Sequence, residues 1–196
     1  SRQKGFDADQ RIVISSIGTE DFDFSKFRTF KKSIQGHASI INVTAAWSLP
    51  GFYTPGGSVF SRSESPEERV HLSHNVVDYD FIKTLGLSLA TGREFTEDRM
   101  TSEKVVMLNE TAVKALGYSN PEEAIEKVIS YHWKVADYAK LKIIGVVKDF
   151  NSRSPGMPVR PEIFMFSNTV WQYGQYYYFI AHVSPGQHQE TVAFLE

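Results

Sequence analysis

Between Val76 and Gly117 the chain reads VVDYDFIKTLGLSLATGREFTEDRMTSEKVVMLNETAVKALG, and this stretch limits the possible folds more than any other. Asp78 is a natural helix N-cap, Phe81, Ile82 and Leu85 fall on one side of a short helix, and Gly86 supplies a left-handed residue to end it. The spacing predicts about two turns. An extended SLATGREF, a charged loop and the apolar run Val105 to Leu108 follow. Asn109 can then cap a second helix carrying Ala112, Ala115 and Leu116 before Gly117 closes it. The unit reads helix, strand, strand, helix, so a fold that accommodates it mixes helices with a sheet.

The flanks extend that sheet. Arg11 to Ile17 is apolar on both faces, which predicts an interior strand. Asp21 or Asp23 can cap a helix in which Phe24, Phe27, Phe30 and Ile34 recur at helical spacing, with Lys26, Arg28, Lys31 and Lys32 away from that face. Ile40 to Trp47 reads as a strand, and Pro50, Gly51, Pro55, Gly56 and Gly57 make Leu49 to Gly57 an irregular loop. Ser58 to Arg62 and Arg69 to Val77 are strands about a polar turn, the second placing Val70, Leu72 and Val76 on one face. Asn120, Pro121 and Glu123 begin a short helix reaching about Lys127. Val128 to Val135, with Ile129, Tyr131, Trp133 and Val135 on one side, fits a half-exposed strand, and Lys140 to Phe150 a second interior one. Ile163 to Phe166 and Tyr176 to Val183 are the last strands, and a final helix begins near His188. The fold class is α+β: residues 1–75 and 140–196 form a sheet with helices on one face, and residues 76–139 form an inserted, smaller α/β unit.

Composition excludes several functions. The 196 residues are 41% hydrophobic and 13% aromatic, enough for a substantial core. The formal charge of -2 comes from interspersed signs without a basic stripe, which argues against nucleic acid as a partner. With no cysteine, disulfides and thiolate metal sites are excluded. No apolar run reaches the length of a membrane span, and no signal peptide opens the chain.

Catalytic and cofactor motifs are missing. Gly86 and Gly92-Arg93 do not have the Walker spacing, and neither the dinucleotide-binding glycine fingerprint nor G-x-S-x-G occurs. His71 and His74 are the closest histidines, but a spacing of three on a strand sends them to opposite faces, so no metal site is expected. Asp78 and Asp80 resemble an acid-base pair, yet Asp78 has the simpler role of a cap. No catalytic residue and no cofactor is assigned. Candidate partner contacts are Phe52 and Tyr53, in the Pro- and Gly-rich loop, and Trp171 and Tyr173, before the tyrosine-rich strand.

The succession D-Y-D-F, L-G-L, G-R-E-F and V-V-M-L-N-E-T-A, continued by Ile143-Ile144-Gly145-Val146-Val147-Lys148-Asp149-Phe150 and Arg160-Pro161-Glu162-Ile163-Phe164, resembles the extracytoplasmic core domain of MacB/FtsX-type ABC transporter permeases. Gly5-Phe6-Asp7 and Leu49-Pro50-Gly51 belong to the same likeness, which covers nearly the whole chain. One departure is Glu126-Lys127, where such domains often carry Gly-Lys.

The resemblance implies a porter-like base for residues 1–75 and 140–196, a Sabre-like subdomain for 76–139, and a closing strand beyond Glu196. It also implies a non-enzymatic domain on the periplasmic or extracytoplasmic face of a bacterial inner membrane. Its partners would be the transmembrane helices of its own parent chain, a separate ATP-binding subunit or domain on the cytoplasmic side, and envelope proteins or an exported substrate. Transmitting conformational change across the membrane, for export, lipoprotein release or hydrolase activation, is the implied role. The alternative function is a secreted or periplasmic small-ligand-binding domain.

Overall fold

A computed structural model describes residues 11–15, 24–49, 56–98, 104–133, 137–150, 157–166 and 178–195. Its strands are β1 (Arg11–Ser15), β2 (Ile40–Ala46), β3 (Gly57–Arg62), β4 (Val70–Val77), β5 (Leu89–Gly92), β6 (Val105–Asn109), β7 (Val128–Trp133), β8 (Asp137–Val147), β9 (Glu162–Phe166) and β10 (Tyr178–Val183). The helices are α1 (Phe24–Ile34), α2 (Phe81–Leu85), α3 (Glu110–Ala115), α4 (Pro121–Ala124) and a last helix, α5 (His188–Leu195).

Backbone pairing closes six strands into a ring. β4 pairs β3, β3 pairs β7, β7 pairs β8, β8 pairs β6, β6 pairs β9, and β9 returns to β4 in parallel. Register fixes what faces inward. Phe60 lies opposite Tyr131, Ile129 opposite Leu141, Val106 opposite both Ile143 and Met165, and Leu108 opposite both Val146 and Ile163. These residues share one apolar core with Leu72 of β4. Ala112 and Val113 of α3, Leu116 at its C-cap and Ala124 of α4 join the same core. The alternating apolar pattern thus encodes a filled interior.

Outside the ring lies a three-stranded wing, ordered β1-β10-β2 and wholly antiparallel. Phe179, Val43 and Ala45 face α1 and α5, packing with Phe27, Ile34 and Leu195. Ile180 and Ala46 face the other way, into the central core that α2 shares with the outer surface of the ring. β5 is an outlying strand on β8. Gly92 and Gly145 permit that contact: a β-carbon on Gly92 would sit 2.4 Å from the Ile144 carbonyl oxygen, and one on Gly145 would sit 2.4 Å from that of Arg93.

Segment 76–139 contributes β5, β6 and β7, and its neighbours in the sheet come from both flanks. β7 lies between β3 and β8, and β6 between β8 and β9. β4 runs continuously through position 75/76, and β8 through 139/140.

Several local expectations change. β1 is an edge strand, pairing with β10 alone among the described strands, and Val13 is 42% exposed. Apolar residues on both faces cannot distinguish an interior strand from an edge strand covered on one side. Lys31 is buried rather than on the solvent face of α1. Asp78 is not the cap of α2; Asp80 occupies that position without a side-chain capping bond, while the Asp78 carbonyl receives the Phe81 N–H. Ala115 is exposed and Val113 takes the buried place. Asn109 and Asn120 do cap their helices, through Ala112 N–H and Glu123 N–H.

α4 stops at Ala124, and Glu126 follows at φ 63°, the one described non-glycine residue in the left-handed region. Its N–H bonds the Ile143 carbonyl, so the turn locks onto β8. The exposed Glu126–Lys142 pair at 3.1 Å offsets little of the strain. Glu126→Gly should therefore be more stable than Glu126→Ala by about 1 kcal/mol, because only the alanine retains the β-carbon clash. Urea denaturation of the two variants measures the difference.

Candidate functional site

Four strands meet at one corner in a continuous row. Tyr178 of β10 lies opposite Ala46 of β2, Ala46 opposite Val77 of β4, and Val77 opposite Phe166 of β9. This row joins wing to ring. Beside Ala46 and Val77, the Asp78 N–H donates to the Ala45 carbonyl at 2.9 Å and the Trp47 N–H to the Val76 carbonyl at 2.8 Å. The Asn75 side chain then holds the Ser48 backbone at both groups, accepting from N–H and donating to C=O, each at 3.0 Å.

Lys31 completes the junction. Its Nζ donates to Asp78 Oδ2 at 2.6 Å and to Asp80 Oδ2 at 2.7 Å, and lies 3.7 Å from the centre of the Tyr79 ring. Lys31 is 1% and Asp78 0% exposed, so both charges have left water and depend on each other. D-Y-D-F is thus a socket: two carboxylates and an aromatic face around one ammonium group. Burial works against the Lys31 charge, but Asp78 and Asp80 outweigh it and hold its pKa above the ordinary lysine value. Burial, with Asp80 nearby, pushes the Asp78 carboxyl up to about 6 despite the lysine. Outside the socket, Arg28 pairs with Glu97 at 2.6 Å in exposed positions, and Arg11 Nε donates to the Thr84 carbonyl of α2 at 2.6 Å.

The remaining shared motifs clasp one another. Asn109 Oδ1 accepts from Ala112 N–H and Glu162 N–H, and its Nδ2 donates to the Arg160 carbonyl. Asp149 accepts from the N–H and hydroxyl of Thr111, while Glu110 accepts from the Asp149 N–H. N-E-T-A, K-D-F and R-P-E-I-F therefore form one hydrogen-bonded knot at the start of α3. Their spacing reflects structural bonds.

His71 is exposed against Gly57, while His74 is buried on the inner side of β4. His74 stacks on Trp47 with centroids 4.7 Å apart, and its Nδ1 lies 3.2 Å from Ser58 Oγ, which is 3.3 Å from Tyr131 Oη. Burial, then the neighbouring His71, lowers the His74 pKa to about 4. Among the described residues no group of three or more His, Cys, Asp or Glu side chains gathers as a metal site. Phe52, Tyr53, Trp171 and Tyr173 lie outside the described residues, as do Tyr176 and Tyr177. What is visible is the placement of their anchors: residues 50–55 follow Leu49, just beyond Ala46, and residues 167–177 connect Phe166 to Tyr178, both in the four-strand row.

A family model for the MacB-like periplasmic core domain matches residues 4–194. The chain belongs to this family. Among solved structures, the periplasmic region of MacB from Actinobacillus actinomycetemcomitans is similar, with a TM-score of 0.62 at 16% identity over 97% of this chain and 84% of that one. The extracellular domain of the noncanonic ABC-type transporter YknZ from Gram-positive bacteria gives a TM-score of 0.61 at 13% identity, covering 92% of this chain and 86% of the other. Both share the mixed helix and strand fold. No curated protein matches the sequence. Among the described residues, no helix is long and apolar enough to cross a membrane.

Two predictions follow from the charges in this MacB-like domain. Lys31→Met should cost about 3–5 kcal/mol by leaving Asp78 buried without its counter-charge, and adding Asp78→Asn should recover part of that loss. Chemical denaturation measures both.

The second concerns pH. With a folded pKa near 6, Asp78 binds its proton more tightly than in the unfolded chain, so its contribution to stability increases as pH falls through 6 and levels off below about 4. His74 acts oppositely: its folded pKa near 4 is below the ordinary 6.5, so stability is lost as pH falls from 6.5 towards 4. Replacing His74 with Gln should therefore improve stability relative to the parent as pH drops from 7 to 4, by up to about 3 kcal/mol. Paired urea titrations across that range test the sign.

Proposed function

We propose that this chain is the extracytoplasmic, non-catalytic domain of an ABC transporter permease, where it engages a partner or exported substrate and passes conformational change across the membrane. It works on the outer face of a bacterial inner membrane as part of an integral membrane protein. Its first partners are the transmembrane helices of its parent chain, and ATP is hydrolysed by a separate subunit or domain in the cytoplasm. Membership of the MacB-like family supports the setting.

The observation that carries the contact role is the corner itself. Segment 167–177, containing Trp171 and Tyr173, joins two members of the four-strand row, Phe166 and Tyr178, and segment 50–55, containing Phe52 and Tyr53, follows Leu49, a few residues past the row's Ala46. Aromatic residues drawn from both segments would supply an interface with large contact area and few rotatable bonds. The row is also the seam between wing and ring, so a partner bound there acts where the two parts join.

Phe52→Glu and Trp171→Glu should each impair transport by the intact transporter while changing domain stability by no more than about 0.5 kcal/mol. Transport assays and thermal unfolding on the same variants decide the point. Loss of folding in both would make these residues part of the core, and normal transport by both folded variants would remove them from the contact surface. Titration of the isolated chain with ATP and magnesium should release no binding heat; a saturable isotherm would contradict the assignment of nucleotide chemistry to another subunit.

A further inference from the structure

The ring and the wing are joined unequally to themselves and to each other. Every ladder within the ring contains several register pairs, as do β1–β10 and β10–β2, whereas the β2–β4 ladder contains one, Ala46 opposite Val77. Packing follows the same division. The core under α1 is made by wing residues with Val76 as the ring's contribution, and the ring core contains none of the wing strands. In the central core the wing supplies Ala46 and Ile180, with Leu49 just beyond β2 and Tyr178 half-buried beside them.

Across this seam, which also carries the Asp78–Ala45 and Trp47–Val76 backbone bonds, the Asn75–Ser48 clasp and the Trp47–His74 stack, stands the Lys31 socket. Lys31 belongs to α1, carried by the wing, while Asp78 and Asp80 follow directly from β4 of the ring. Two short ionic hydrogen bonds with a fixed geometry, one entirely out of water, resist sliding in a way that apolar contact does not. An exposed strut, Arg28–Glu97, spans from the same helix to the loop after β5, and Arg11 of β1 reaches Thr84 of α2.

We propose that the Lys31–Asp78–Asp80 cluster is a latch that fixes the angle between wing and ring, and that its opening is the conformational step available to the domain. The proposal rests on the reading of the domain as a transmitter of motion and gives that motion a location. The moving boundary follows the β2–β4 seam; the ring, whose ladders cross positions 75/76 and 139/140, moves as one piece. Elements that switch between two packings need such a discrete contact.

The native sequence has no cysteine, so two labels can be placed without competing thiols. Ala193→Cys on α5 and Lys114→Cys on α3 put exposed spin labels on wing and ring respectively. Pulsed dipolar spectroscopy on the 196-residue chain should give a single narrow distance peak. In the Lys31→Met/Asp78→Asn background, which removes the buried pair and leaves only the partly exposed Asp80 carboxylate without its lysine, that peak should be lost to a broad distribution while far-UV circular dichroism is unchanged. A folded double variant that keeps the narrow peak overturns the latch. If the double variant does not fold, Asp80→Asn, at the half-exposed end of the cluster, is measured with the same labels. Broadening supports the proposal, and an unchanged peak overturns it. These measurements read the isolated chain, so their failure leaves the permease assignment to stand or fall on the transport assays.

Discussion

An ammonium group taken out of water is tolerable only where opposite charge and hydrogen-bond acceptors meet it, and Lys31 finds both where the two parts of this domain meet. Many other features are arranged around that constraint. α1 must lie across the wing with its last turns toward β4. β4 must end so that Asp78 emerges beside Ala45, and α2 must begin immediately afterwards so that Asp80 returns to the same lysine. A hydrophobic residue at position 31 with neutral partners would pack such a junction at lower electrostatic cost. The ion cluster gives directional contacts, and therefore one preferred angle, where packing alone would accept several.

The ring supplies the opposite property. Closing the sheet leaves its six member strands with ladder partners on both sides, and its interior is occupied by side chains, among them Phe60, Leu72, Val106, Leu108, Tyr131 and Ile143. An interior filled this way suits a rigid strut and is a poor container for a small ligand. The polar residues facing inward, Ser58, His74 and Tyr131, are hydrogen-bonded to one another, and His74 is stacked on Trp47.

Much of this was legible in the sequence where local rules decide. Asn109, Asn120, Gly86 and Gly117 mark helix ends because capping depends on residues only a few positions apart. Strand positions followed in the same way from local apolar runs, β-branched content and, for β4 and β7, alternation. Long-range partners were illegible. Lys31 stands four residues after Phe27 and three before Ile34, so helical spacing puts it on the apolar face and its charge alone set it with Lys26 and Lys32; nothing near it indicates that residues 47 and 49 positions later would enclose it. Asp78 stands where a cap should stand, and only the fold shows that its charge is already used. β1 was misplaced because covering by helices on a face and covering by strands at an edge leave the same apolar pattern. The contact residues Phe52, Tyr53, Trp171 and Tyr173 rest on composition and loop chemistry, which point to a surface without giving its shape.

The family motifs show how function and fold divide the sequence between them. G-R-E-F and I-I-G-V-V meet at Gly92 and Gly145, where a β-carbon on either residue would collide with the opposing backbone. N-E-T-A, K-D-F and R-P-E-I-F tie α3 to β8 and β9 through Asn109, Asp149 and Glu110. They build the ring and fix its internal angles. D-Y-D-F differs because its partner comes from the other body, so a substitution there alters a relation between parts rather than the integrity of one. The ring's motifs are bonded within one body, whereas Lys31, Arg28, Arg11 and Asn75 bond from one part to the other, and the proposed latch is the buried ionic member of that second set.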